Sequence, residues 1–416
     1  MGTESVAEFS ARARAWLTEN VQTDVGSAAT GPDAGKLDLH VQQRYQQALF
    51  DAGFAGLTWP VTMGGQGLGM EYQVAWNTVI TEFDPPAGAF IIGLGMCGPT
   101  LVDLGSEAQQ QRYLAPMLRG AEIWCQLFSE PGAGSDVASL QAKAVRTEDG
   151  WRLSGQKVWT TAATLAHYGA ILARTDPERP KHRGITMFIV DMRAAGVTVR
   201  PLRDMSGDAR FNEVFFDDVA LAPDSVIGEV NAGWQAAVTM LGHERVFIGG
   251  SASPRSTPLS ADSLIATALR YGTGGDPAVR ARLAELHVRQ SAASLLNTLI
   301  KQQAQAGIAT GARGSIGKLV GAENAAFAAD IAAQVAGTSA VAWAPDDERA
   351  QALAKATNSA PAGAIAGGTN QIQRNILGER VLGLPKEPQV DRDVPFTALK
   401  VGTQHGEKAA DAPAVD

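Results

Sequence analysis

Apolar positions recur at helical spacing through the first part of the chain. In "VQQRYQQALFDAGFAGL", Tyr45, Leu49, Phe50 and Phe54 fall near one helical face, and Gly53 and Gly56 end the run. "EAQQQRYLAPMLRG" predicts another short helix, closed by Gly120. Residues 1–122 are therefore expected to form a helical domain. Over 123–230 the period shortens to that of strands. "WRLSGQKVWTT", "HYGAILART", "ITMFIVDM", "GVTVRPLRDM" and "FNEVFFDDVAL" are short β-rich runs broken by Gly, Pro, Asp and Asn. Strands so closely spaced, with no helix between them, predict a compact antiparallel barrel or sandwich. Polar, Pro-containing "RTDPERPKHRG" (174–184) reads as a surface loop, as does "SASPRSTPLSADS" (251–263). Residues 231–390 return to long Ala- and Leu-rich helices, dense enough in alanine to pack closely as a helical bundle. The polar tail, 391–416, is expected to be flexible.

Composition narrows the function. The chain has 416 residues, 45% of them hydrophobic, and a formal net charge of −8, which argues against a nucleic-acid groove lined with Lys and Arg. No apolar run reaches the roughly eighteen residues of a membrane span, and "MGTESVAEFSARARAWL" is too polar for a secretory signal. Cys97 and Cys125 lack metal-ligand spacing and are expected as buried, reduced thiols of a cytoplasmic protein. The six histidines are scattered, so no metal site is expected.

"WCQLFSEPGAGSDVASL" (124–140) carries the most chemistry. A strand-like start runs into a Pro/Gly turn that exposes successive backbone N–H groups, which can bind an anion or the polar edge of a ring. An ordinary glycine-rich hairpin would look the same. In "GQKVWTT", alternation puts Trp159 and Thr161 on one strand face, where an indole and a hydroxyl could wall a flavin ring. A plain core tryptophan is the competing reading.

Taken in order, "LFSEPGAGSD", "GQKVWTT" and "GGTNQIQRNILGERVLG" resemble the signatures of the acyl-CoA dehydrogenases across nearly the whole chain. The resemblance implies an α+β multidomain fold: an N-terminal helical domain, a central antiparallel β-barrel and a C-terminal four-helix bundle. It implies FAD as cofactor, an acyl-CoA substrate and an electron acceptor like electron-transfer flavoprotein. Assembly would be a homotetramer or, as in paired-subunit relatives, a heterotetramer. By matching position, Gln126, Phe128, Ser129, Gly134 and Ser135 would meet the flavin, and Ser135 also the acyl-CoA. Trp159 and Thr161 match the ring wall, and Thr369 and Gln371 the loop that reaches the ADP portion of FAD.

The family reaction removes an α-proton while a β-hydride passes to flavin N5. So weak an acid demands a polarised thioester carbonyl and a buried carboxylate of raised pKa. Many relatives place that glutamate just before the "GT" of the terminal loop, where this chain has Gly367. A second branch, including enzymes resembling isovaleryl-CoA dehydrogenase, places it on the first helix of the C-terminal bundle. Glu244 stands there, in "MLGHERVFIGG". Ala237, Leu241, Glu244 and Ile248 step by helical spacing onto one apolar face, which suits a desolvated base. A surface-paired boundary glutamate is the bland reading. Arg245 and Gly367 are expected to border the substrate, His243 to be a packing neighbour, and Arg270 to stand near the FAD pyrophosphate. The departures near Arg270 resemble a branch acting on bulky steroid-side-chain or branched acyl-CoAs. A flavin monooxygenase on the same fold and a non-catalytic partner subunit are the alternatives.

Overall fold

The structure, a computed structural model, describes residues 4–21, 39–83, 85–250, 257–305, 311–388 and 391–399, with the backbone alone for 245–250, 301, 304 and 305. Helices α1 (Val6–Asn20), α2 (Leu39–Asp51), α3 (Met70–Val79), α4 (Gly98–Leu104) and α5 (Glu107–Leu118) come first. Ser5 and Ser106 open α1 and α5 through capping boxes with Glu8 and Gln109. Gly53 and Gly120, read as stop signals, take φ of +76° and +74° beyond α2 and α5.

Among the described residues eight strands follow: β1 (Trp124–Leu127), β2 (Lys143–Thr147), β3 (Gly150–Thr161), β4 (Tyr168–Arg174), β5 (Ile185–Asp191), β6 (Val197–Leu202), β7 (Phe211–Leu221) and β8 (Val226–Ile227). They pair in the order β6-β7-β3-β2-β4-β5-β8, with β1 also on β4. The pairing is mainly antiparallel, as expected. The β1–β4 pair and the single β2–β4 contact are parallel. Three bonds seat β1 beside β4: Ile123 N–H donates to His167 Nδ1 (3.1 Å), and the N–H groups of His167 (2.8 Å) and Tyr168 (3.3 Å) donate to Ile123 O.

Strands β4 and β5 are apolar almost throughout because both their faces are covered. Ala170, Leu172, Ile185, Met187 and Ile189 join Phe9, Leu17, Phe54, Leu101 and Met117 in the core under the N-terminal helices. Their alternates, Ile171, Ala173, Phe188 and Val190, join Trp151, Leu153 and Val214 on the other side. The period of two divides one strand pair between two cores.

The C-terminal region contains α6 (Gly233–Gly250), α7 (Ala261–Arg270), α8 (Pro277–Gln305), α9 (Gly314–Ala336), α10 (Glu348–Gly363) and α11 (Asn370–Arg380). Helices α7, α8, α9 and α10 share one core of Leu264, Leu283, Leu286, Ile331, Val335 and Leu353, the four-helix arrangement the sequence predicts. Helix α6 differs. Its Ala236, Ala237 and Met240 pack into the core of the N-terminal helices and β4–β5, so α6 spans the junction of all three regions.

Part of the expected flexible tail is placed. Phe396 N–H donates to Arg179 O (2.9 Å), and the Arg174 guanidinium lies 3.7 Å above the Phe396 ring. Residues 391–399 thus pack on the loop after β4, because that loop offers cations and open backbone groups to Asp391 and Phe396. The rest of the tail lies outside the described residues. Among the described residues no helix is long and apolar enough to cross a membrane, and no His/Cys/Asp/Glu cluster could hold a metal ion.

Candidate active site

The end of β1 and the middle of β3 are joined by a buried ion pair. Lys157 Nζ donates to Glu130 Oε1 (2.7 Å) and to Phe128 O (3.0 Å), and Lys157 is fully buried. Glu130 also accepts from the N–H groups of Gln141 (2.6 Å) and Ala142 (2.9 Å). Val158 N–H donates to Ser129 O (2.9 Å). Every strong acceptor of the Glu130 carboxylate is engaged, which is what makes a buried pair tolerable. Burial draws the Lys157 ammonium below its usual pKa, and Glu130 opposes that shift. The carbonyls of Phe128 and Ser129 are both engaged here, and the Phe128 side chain packs into the core of the N-terminal helices.

Beyond this staple the backbone of β3 leaves regular geometry. The register with β7 shifts between Lys157 and Thr160, and Trp159 has φ of +60°. That is a left-handed conformation few bulky residues adopt. Asn212 Nδ2 holds Thr160 O (2.9 Å), and Ala162 N–H donates to Arg210 O (3.2 Å), fixing the far side of the bulge. Trp159 is 56% exposed, Thr160 buried and Thr161 half-buried. The alternation expected to put Trp159 and Thr161 on one face is interrupted by this bulge, which leaves Trp159 exposed and Thr161 half-buried.

The residues here fit a flavin. Gln126 Nε2 is buried with no hydrogen-bond partner among the described residues. A methyl built on Gly132 or Gly134 would meet nothing within 4 Å. Ser135 is exposed beside Asp136, which binds Lys181 Nζ (3.0 Å); Lys181 also pairs with Asp391 (2.8 Å).

The second cluster joins α6 to the loop before α11. Ala236, Ala237 and Met240 are buried, Leu241 is half-buried, and Glu244 is only 8% exposed, so the carboxylate continues an apolar face. The side chains of Arg245 and Ile248 lie outside the described residues. Gly367 and Gly368 take φ of +65° and +87°. A methyl added to Gly367 would stand 3.2 Å from Glu244 Oε1. The residue expected to lack a base and the residue expected to supply one are therefore neighbours in space. Gln373 secures this turn from within, donating through Nε2 to Gly367 O (2.8 Å) while 2% exposed.

Thr369 caps α11, accepting from Ile372 N–H (3.2 Å), and Gln371 is exposed on its first turn. His243 Nε2 bonds Asp103 of α4 (2.8 Å). Arg270 pairs with Asp347 (3.4 Å) at the end of α7.

Residues 3–121, 125–219 and 231–382 match the N-terminal, middle and C-terminal domains of acyl-CoA dehydrogenases. The chain belongs to the acyl-CoA dehydrogenase family. Its relatives are FAD-dependent oxidoreductases. Acyl-CoA dehydrogenase IpdE1 of Mycobacterium tuberculosis is 34% identical over 395 residues, 92% of this chain and 99% of IpdE1. Acyl-CoA dehydrogenase FadE34 of the same organism is 38% identical over 345 residues, 83% of this chain. The chain spans about half of FadE34, 47% of its length. Among solved structures, the Tcur3481–Tcur3483 steroid ACAD superposes with a TM-score of 0.76 at 26% identity, covering 93% of this chain and 99% of that one.

Sequence reasoning missed Glu130, Lys157, Asn212 and Gln373. Lys157 left one signal: it is the one lysine in the β-rich run "WRLSGQKVWTT", two residues before the tryptophan.

Proposed function

We infer that this acyl-CoA dehydrogenase introduces an α,β double bond into an acyl-CoA thioester, with Glu244 as the base. The observation that carries the reading is the approach of Glu244 Oε1 to the Gly367 turn, within 3.2 Å of where a side chain at 367 would begin. Glu244 is only 8% exposed, so its carboxylate would meet the substrate proton away from bulk water. Bound FAD supplies the acceptor for the β-hydride. Around it, Trp159 and Thr161 would flank the ring, and Gln126, Phe128, Ser129 and Gly134 would meet its edge. Thr369 and Gln371 would reach the ADP portion. Ser135, Arg245 and Gly367 would border the acyl-CoA.

The absence of a side chain at Gly367 favours a bulky or branched acyl group, in keeping with the steroid enzyme among its structural neighbours. Electrons would leave to a carrier like electron-transfer flavoprotein. A soluble tetramer in the cytoplasm completes the reading, built from this chain alone or with a related subunit.

The test is to purify the chain, record its flavin absorbance and add a panel of acyl-CoAs without oxygen. Bleaching by a branched or steroid-side-chain thioester supports the reading. Flavin that no thioester bleaches but that reacts with oxygen once reduced would replace it with a monooxygenase. Flavin bound only after a second protein is added would make this chain a partner subunit.

A further inference from the structure

We propose that Glu130 and Lys157, with Asn212, are positioning residues that hold Trp159 in its left-handed bulge and so set the face offered to the flavin. The inference rests on the flavin reading above.

A tryptophan at φ of +60° is unfavourable by itself and persists only where its surroundings over-determine it. Both flanks of Trp159 are held. On one side Lys157 cannot move: its ammonium reaches Glu130 (2.7 Å) and Phe128 O (3.0 Å) in a site closed to water. Glu130 is itself held by Gln141 and Ala142, so the anchor extends to the chain entering β2. On the other side, fully buried Asn212 holds Thr160 O (2.9 Å). Between these two anchors β3 carries one residue more than β7 has to pair with it, so Trp159 bulges outward, where it is 56% exposed.

The energetics also argue against stability as the pair's purpose. A buried ion pair replaced by neutral groups of similar size is often no less stable, whereas removing one partner leaves a bare charge. What the pair does supply is geometry: one ammonium ties the Phe128 carbonyl to the strand carrying Trp159.

The test uses the purified full chain in four forms: wild type, Glu130→Gln, Lys157→Met, and the double variant. Thermal unfolding is read together with FAD affinity, from quenching of flavin fluorescence, and with the visible flavin spectrum. Each single variant should unfold earlier than wild type. The double variant should regain most of that loss, yet bind FAD about tenfold more weakly, as expected when a charged hydrogen bond that positions a site is lost. Its flavin spectrum should shift as the indole moves. A double variant that binds FAD with wild-type affinity and spectrum would overturn the proposal and leave the pair a structural element. A stable wild type that binds no FAD would instead overturn the flavin reading, and this inference with it.

Discussion

Replacing Gly367 with alanine adds one methyl group at the point where the account places the reaction. Two effects follow from the structure. Alanine at φ of +65° is strained, at a cost of about 1–2 kcal/mol in stability. The new methyl carbon would also begin 3.2 Å from Glu244 Oε1, closer than ordinary contact, so the carboxylate must retreat by a few tenths of an ångström. If a misplacement of about 1 Å costs on the order of a hundredfold in rate, this smaller shift should cost roughly threefold to tenfold. The assay is anaerobic stopped-flow reduction of the bound flavin by an acyl-CoA, alongside thermal unfolding and flavin content. A slower reduction with full flavin content is expected. An unchanged rate would refute the reasoning, because the carboxylate would then not act from the Gly367 turn. Loss of flavin with a normal rate in the remaining holoenzyme would also refute it, since the turn would then serve only the cofactor.

Two further outcomes follow. Trp159→Ala removes an exposed indole, so unfolding should change little while FAD affinity falls roughly fivefold, for about 1 kcal/mol of ring contact; unchanged flavin titration would remove Trp159 from the site. His167 accepts from Ile123 N–H through Nδ1, and burial, reinforced by Arg193, holds its pKa below 6.5 in the folded chain. The unfolded chain therefore takes up the proton first, and stability should fall as pH drops from 6.5 toward the lower folded value. Melting temperatures recorded against pH should flatten across that window in His167→Asn, and an identical slope in both proteins would contradict the assignment.

What could be read from sequence followed from local rules. The change from helical to alternating period marked the strand-rich region, and the paired faces of β4 and β5 explain why their runs were apolar throughout. The expectation that Glu244 fills the place left at Gly367 came from helix spacing and a resemblance, and the structure brings the two together. What could not be read depends on contacts between distant residues. Nothing local to Glu130 says that it meets Lys157, and the resulting bulge is what turns Trp159 outward. Gln373 is an amide on a helix in sequence, and only the fold brings its Nε2 to Gly367 O. Residues 391–399 read as tail because their partners, Arg174, Arg179 and Lys181, stand far back in the chain. The core role of α6 was equally hidden: its apolar face predicts burial, but not that the N-terminal helices and the sheet provide it.

The central claim is that Glu244 removes the substrate proton, and Glu244→Gln tests it most directly. The amide keeps the size of the side chain and cannot act as the base. In a single turnover without oxygen, wild type should bleach its flavin with a reactive acyl-CoA. Glu244→Gln should retain flavin and still bind the thioester, but bleach more slowly by about a thousandfold, within the range general-base catalysis supplies. Bleaching at the wild-type rate would contradict the account and place the base on another residue.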